Sequence, residues 1–355
     1  MKKDFGWIGV LFLMLVAGSY CFKTPVQATS RMQEQKTISN ILKQNEFSGT
    51  ALIIKHGQPF YQATQGYADY QKRQALSMDS TYQLASLEKA VTATLLMKAQ
   101  EQGRLHLSDS LHAYLPQIPY SANLNLWHLL KMESGLVLPP ASVKTALTTR
   151  KLPHYLNKHT KFVPEYRNRW HYSDVNYILL AQILTQVYHR SYAQLFQQYI
   201  VQPLHLQNTG VTANYLHNQH AVLAYAVNGQ PANYDTPLRW SWNPIADELG
   251  AGQLYADAHE LYRLEKAIVQ GEIIKLKDVQ KLRKPGATNI YNGGVYHEVS
   301  KHYFYAHGVQ QGFDTVVLMS DDGQNAVILL SNRHNNRQQN FIQLAKQFYG
   351  LMHPN

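Results

Sequence analysis

Two residues three positions apart raise the first chemical question. In "YQLASLEKAVTATLLMKAQEQGRLHLSD", which begins at Tyr82, Ser86 and Lys89 stand at the head of an apolar, helix-like run. Residues at i and i+3 of a helix share a face, so the amine can reach the hydroxyl. A lysine with its ordinary pKa of about 10.4 is a poor base at neutral pH. Burial and nearby positive charge favour the neutral amine, which can take a serine proton. A serine at a helix N-terminus also has oriented backbone amides beside it, and these favour negative charge developing on a substrate oxygen. The pattern suits a Ser–Lys acyl-transfer enzyme. The spacing alone is common and usually marks a solvated helix turn. Here Ala85 ahead and "AVTATLL" behind place the pair in a buried run, where a stray lysine would be costly. Glu88, lying between the two and turned about 100° per residue from its neighbours, reads as peripheral.

The elements that must position this pair can be read along the chain. Its 355 residues, 45% hydrophobic, suit one large domain or two ordinary ones with a substantial core. "FSGTALIIKHGQPFYQATQGYAD" predicts two strands around a His56–Gly57 turn. A helix is expected from Leu84 to Gly103, and a second in "NLWHLLKMESGL", closed by Gly135. Residues 140–240 read as helical segments, of which "DVNYILLAQILTQVYHR" is the clearest. "GGVYHEV", "HYFYAHG", "FDTVVLMSDDG" and "NAVILLSN" then read as strands, before a last helix in "QQNFIQLAKQFYGLM". Strands at both ends and helices between them predict an α/β fold. Its antiparallel sheet is built from both termini, with flanking helices and a helical domain inserted over roughly 105–240.

The N-terminus has its own signal. Lys2 and Lys3 precede an uncharged run, residues 5–22, and "VQA" ends at Ala28 with small residues at the selective positions. Residues 1–28 are therefore expected to be a secretory signal cut after Ala28, or alternatively a retained membrane anchor. Tyr20 before Cys21 argues against a lipoprotein signal. Residues 29–40 are polar and read as a linker, leaving 41–352 as the folded domain. Cys21 is the single cysteine, so no intramolecular disulfide forms, as befits an exported chain that does without them. A net charge of +10 with no basic run longer than two residues argues against nucleic acid. It leaves room for an anionic polymer or surface. The 17 histidines form no metal-type cluster, and no metal or cofactor is expected.

These segments carry a resemblance. "ASLEKAVTATLLMKAQEQGRLHLSDSLHAYLP" resembles the first motif of the serine β-lactamase and penicillin-binding-protein superfamily, closest to the branch of class C β-lactamases, D,D-carboxypeptidases and related esterases. "LNLWHLLKMESGL" is similar to the family's LL-x-H-x-SGL segment. "WHYSDVNYILLAQIL" resembles its Tyr-x-Asn motif, "GAGQLYADAHELYRL" a family loop and helix, and "YAHGVQQGFDTVVLMSDDGQNAVILLSN" its third motif and last strands. The match runs in order over roughly residues 45–350.

The resemblance implies roles. Ser86 would be the nucleophile, Lys89 its base partner and Tyr172 a second proton relay, although Tyr166–Arg167–Asn168 just upstream also fits Tyr-x-Asn. Asp174 stands where many relatives have asparagine; a carboxylate there would hold Lys89 protonated more strongly or accept a substrate amine. His307 would open the third motif and meet a substrate anion. Val309 would fill the position that is usually glycine and narrow the cleft. The oxyanion hole would be the Ser86 amide and one near Val309 or Gln310. The resemblance thus implies an exported serine hydrolase of the cell envelope, extracellular or tethered through residues 5–22, with a cell-wall polymer as its partner. Removal of D-alanine esters from teichoic acids is the favoured expectation. The alternatives are a D,D-carboxypeptidase on peptidoglycan stem peptides and a catalytically silent binding homologue.

Overall fold

The computed structural model describes residues 25–139, 150–226, 234, 237–238, 248–285, 289–334 and 340–352. Of the signal or anchor expected over residues 1–28, residues 1–24 lie outside them. Among the described residues no helix is long and apolar enough to cross a membrane.

A seven-stranded antiparallel sheet organises the chain. Its order is Tyr291–Asn292, Val295–Glu298, Tyr303–Gln310, Phe313–Ser320, Ala326–Ser331, Gly49–Lys55, Gln58–Gln65. The N-terminal hairpin completes the C-terminal strands: Gly49–Lys55 pairs with Ala326–Ser331 in the register Gly49↔Ser331. Alternation then gives the sheet two faces. Ala51, Ile53, Val316, Leu318, Val327 and Leu329 point to one side, where they pack with helix α1 (Pro25–Gln44) and the last helix α9 (Phe341–Met352). Leu52, Ile54, Val317, Met319, Ile328 and Leu330 point to the other side, into the main core.

That main core holds α2 (Glu88–Glu101) and α5 (Val175–Tyr188), both buried over most of their surface. Helices apolar on every side belong in an interior. Around them lie α3 (Leu126–Leu130), α4 (Leu152–His159), α6 (Tyr192–Phe196), α7 (Ala258–Val269) and α8 (Leu276–Arg283).

Three expectations are corrected. Residues 29–40 are not a linker: they belong to α1, whose Ile38 and Leu42, one turn apart, are fully buried against the sheet. Two apolar residues at helical spacing suffice to dock a helix that looks polar overall. The helix in "NLWHLLKMESGL" stops at Leu130, and Gly135 lies inside a strand, Ser134–Val137. That strand pairs with Lys161–Arg167, so the inserted region is not wholly helical. This small ribbon positions the segment that carries Tyr172.

Candidate active site

The site begins at a strained turn. Ala85 adopts φ 49°, in the left-handed region, just ahead of Ser86. Non-glycine residues avoid that region, and such outliers collect at functional turns. The turn is held from the sheet: Thr315 Oγ1 donates to the Leu84 carbonyl at 3.0 Å, and Leu84 N–H donates to Leu254 O at 2.8 Å. A single 3-10 turn, Ala85–Leu87, then leads into α2 and leaves Ser86 half-buried.

Lys89, one turn on, is 1% exposed. Its ammonium donates to Ser86 Oγ at 2.9 Å and to Ala251 O at 3.0 Å, and it forms an ion pair with Asp174 Oδ1 at 2.7 Å. The Ala251 carbonyl is aimed by the turn at Gly250, where φ is 71° and a Cβ would come within 2.4 Å of Ala181 Cβ. Burial alone would push the lysine down. The Asp174 charge and the Tyr172 hydroxyl outweigh it and hold Lys89 well above its ordinary value. The balance favours the charged lysine, as the sequence expectation for a carboxylate at Asp174 had it, over the neutral amine that burial alone would give.

Asp174 is the N-cap residue of α5, yet its side chain caps nothing. Aspartate is favoured at that position because it accepts the free N–H groups of the first turn. Here its carboxylate turns to Lys89 instead, and its side chain remains 47% exposed. Tyr172 donates to Ser86 Oγ at 2.8 Å, and its ring lies 5.2 Å from Lys89 Nζ. Burial raises the Tyr172 phenol, partly offset by the neighbouring ammonium. Tyr166, the other fit to Tyr-x-Asn, stacks on His171 at 3.6 Å between ring centroids. The structure thus brings Ser86, Lys89, Tyr172 and Asp174 together.

It does not bring His307 or Val309 with them. The cross-strand row His307↔Val316↔Leu329↔Ala51 places His307 on the α1/α9 face of the sheet. There its Nε2 lies 2.7 Å from Asp314 Oδ1, while His334 Nδ1 lies 2.7 Å from the other oxygen. Val309 alternates to the same side and is 43% exposed. Gly308 faces the nucleophile: a Cβ there would lie 2.4 Å from Leu84 O and 3.0 Å from Ala85 Cβ. The position that demands glycine is thus occupied by glycine. The third motif sits one residue earlier, at Ala306–His307–Gly308, and Val309 does not narrow the cleft. A one-residue shift in a strand exchanges the two faces. Among the described residues this strand has no ladder partner on its outer edge beyond Tyr305, because Val295–Glu298 pairs only with Tyr303–Tyr305. Its backbone there can supply an oxyanion donor opposite the Ser86 amide.

Two carboxylates near the site take roles that the sequence did not indicate. Glu88 is not peripheral but fully buried, and its carboxylate accepts the Gln253 backbone N–H. Burial pushes its pKa up to about 8. A raised folded-state pKa means that the folded protein holds this proton more tightly. The associated stability is complete below the ordinary value of 4.5 and is lost as pH rises through about 8. The Tm of the parent is expected to fall by several degrees between about pH 5 and about pH 9, and Glu88→Gln to fall less. Parallel curves would show that Glu88 does not titrate in that window. Glu248 accepts from Gln310 Nε2 at 2.9 Å and shares with Tyr172 and Asp174 a cavity of about 300 Å³. "GAGQLYAD" signalled a loop, but nothing in its composition singled out the glutamate before it.

Comparison with known proteins follows the same outline. The Beta-lactamase family model matches residues 35–347. PbpX of Bacillus subtilis (strain 168), which carries a penicillin-binding-protein name, is 30% identical over 308 residues, 86% of this chain and 75% of that protein. Protein flp of Staphylococcus aureus (strain MRSA252) is 24% identical over 323 residues, and the match spans 85% of this chain but 63% of that protein. The crystal structure of FmtA from Staphylococcus aureus superposes with a TM-score of 0.79 at 23% identity, over 91% of this chain and 89% of that one. At that identity the likeness speaks for the fold.

Proposed function

The chain belongs to the β-lactamase family of serine hydrolases, and from that premise we propose that it removes D-alanyl esters from teichoic acids outside the cell membrane. The observation that carries this reading is the charge of the cavity lined by Tyr172, whose hydroxyl donates to Ser86 Oγ. Asp174 and Glu248 both line it, next to Tyr172. A D-alanyl ester keeps a free α-ammonium two bonds from the carbonyl that Ser86 would attack. A peptide-linked D-alanine donor has an acylated, uncharged nitrogen there. Carboxylates in a partly dry pocket favour the ammonium.

In the proposed reaction Ser86 Oγ attacks the ester carbonyl, and its proton passes through Tyr172 and Lys89 to the departing polyol oxygen. The acyl-enzyme is then released by water, with the same groups working in reverse. Because Asp174 holds Lys89 toward its charged form, the Lys89–Tyr172 cluster must first lose a proton. The protons of such a cluster belong to the group as a whole. A D,D-carboxypeptidase is the second reading, supported by the name of PbpX.

The test is free D-alanine released from D-alanylated lipoteichoic acid, beside an N-acetyl-D-alanyl ester of a small alcohol and a stem peptide ending in D-Ala–D-Ala. The expected result is release from the polymer and at least about tenfold lower kcat/KM for the N-acetyl ester, which lacks the ammonium. Cleavage of the stem peptide alone would replace this reading by the second.

A further inference from the structure

We propose that a basic cleft between α3 and α8 holds the phosphodiester backbone of the polymer on which Ser86 acts, an inference that rests on the esterase reading for its ligand. The cleft has a volume of about 590 Å³ and is distinct from the acidic cavity at the nucleophile. Lys131, at the end of α3, lines one wall; Lys281 and Lys284, at the end of α8, line the other. These lysines lie about 150 residues apart in sequence, so no basic run announces them. Lys281 is paired with Asp278 at 2.9 Å. Among the described residues Lys131 and Lys284 make no ion pair. Lys131 instead lies over the Trp127 ring, 5.7 Å from its centroid, on the same wall. Glu133, a carboxylate in the lining, is occupied by Asn289 Nδ2 at 2.5 Å.

Both walls of the cleft connect through the backbone to segments that carry the catalytic residues. The Glu133 carbonyl accepts from Asn168 N–H and the Met132 carbonyl from His171 N–H, each at 2.9 Å, so this wall is tied to the segment bearing Tyr172. Asn292 on the opposite wall leads into the turn at Gly294, where a Cβ would lie 2.3 Å from the Ala90 nitrogen. A cationic groove beside an acidic one matches a chain that alternates phosphate charges with aminoacyl-bearing polyols. Trp127 offers an apolar face for the carbons between the phosphates. A concave cleft between two helices suits a flexible chain better than a flat membrane surface.

The experiment measures binding of the full chain to lipoteichoic acid stripped of its esters, so that no turnover intervenes. A second arm uses phosphatidylglycerol vesicles. The parent is expected to bind the stripped polymer with an affinity that falls steeply with salt, because phosphate contacts release counterions. Lys131→Gln/Lys284→Gln is expected to bind about tenfold or more weakly at low salt, with a shallower salt slope and an unchanged Tm. With esterified polymer its KM should rise in step while kcat holds. Equal affinity in the double variant, no binding by the parent, or binding to the vesicles alone would overturn the proposal. Lysine-dependent binding without any D-alanine release would refute the esterase reading and leave the cleft as a polyanion site.

Discussion

Ser86→Ala is expected to lower kcat/KM for the D-alanyl polymer by about 10⁴-fold or more, with the fold intact. Ser86 Oγ is the atom on which both Lys89 and Tyr172 converge, at 2.9 Å and 2.8 Å. Removing it leaves two proton-transfer groups with nothing to activate. Losses of this size arise because residues that act as a unit fail together. Two readouts separate this outcome from a folding defect. The variant should keep the Tm of the parent, and it should acquire no mass when incubated with a fluorophosphonate that phosphonylates the parent once, with loss of fluoride. Turnover within about tenfold of the parent would remove Ser86 from the mechanism.

Asp174→Asn has the second largest expected effect, and its sign depends on the substrate. The carboxylate is what holds Lys89 above its ordinary value against burial. The catalytic cluster needs one proton fewer than its resting state, so the parent gains activity as pH rises. Replacing the charge with a neutral amide leaves burial in command, and burial favours the neutral amine. The ascending limb of kcat/KM against pH should therefore move to lower pH by about one unit or more. With an acetyl ester the variant should then be about tenfold faster than the parent at pH 7. With a D-alanyl ester the same change removes one of the two carboxylates offered to the ammonium, so KM should rise and offset the gain. The two profiles, measured side by side, test both roles at once. An unmoved limb would show that Asp174 does not set the protonation of Lys89, and an unmoved KM that it does not meet the amine.

Much of the site was legible because its signals are local. The Ser86–Lys89 spacing is a property of one helix turn, and a helix forms wherever apolar residues recur as they do from Ala90 to Met97. The two-ended sheet followed in the same way, from alternating runs at both ends of the chain. Asp174 was noticed because it departs from the asparagine common among the relatives that the chain resembles. His307 and Val309 were misplaced for an equally local reason. "AHGV" offers two ways to lay a three-residue motif on a strand, and only Gly308 against Leu84 and Ala85 decides between them. The helix at residues 29–40 was missed because Ile38 and Leu42 are a faint stripe until a sheet face lies beneath them.

By itself the sequence determined the fold class, the order of the motifs and the Ser86–Lys89 pairing, because each depends on residues a turn or a strand apart. Tertiary structure decided between the two protonation states that the sequence left open for Lys89. Its two acceptors, Ser86 and Ala251, and its ion-pair partner Asp174 come from segments that meet only in the folded core. The same holds for the acidic cavity of Asp174 and Glu248 and for the basic cleft of Lys131 and Lys284, each assembled from distant parts of the chain. Electrostatic energy depends on distance in space and on the surrounding dielectric, and neither is a function of position along the chain.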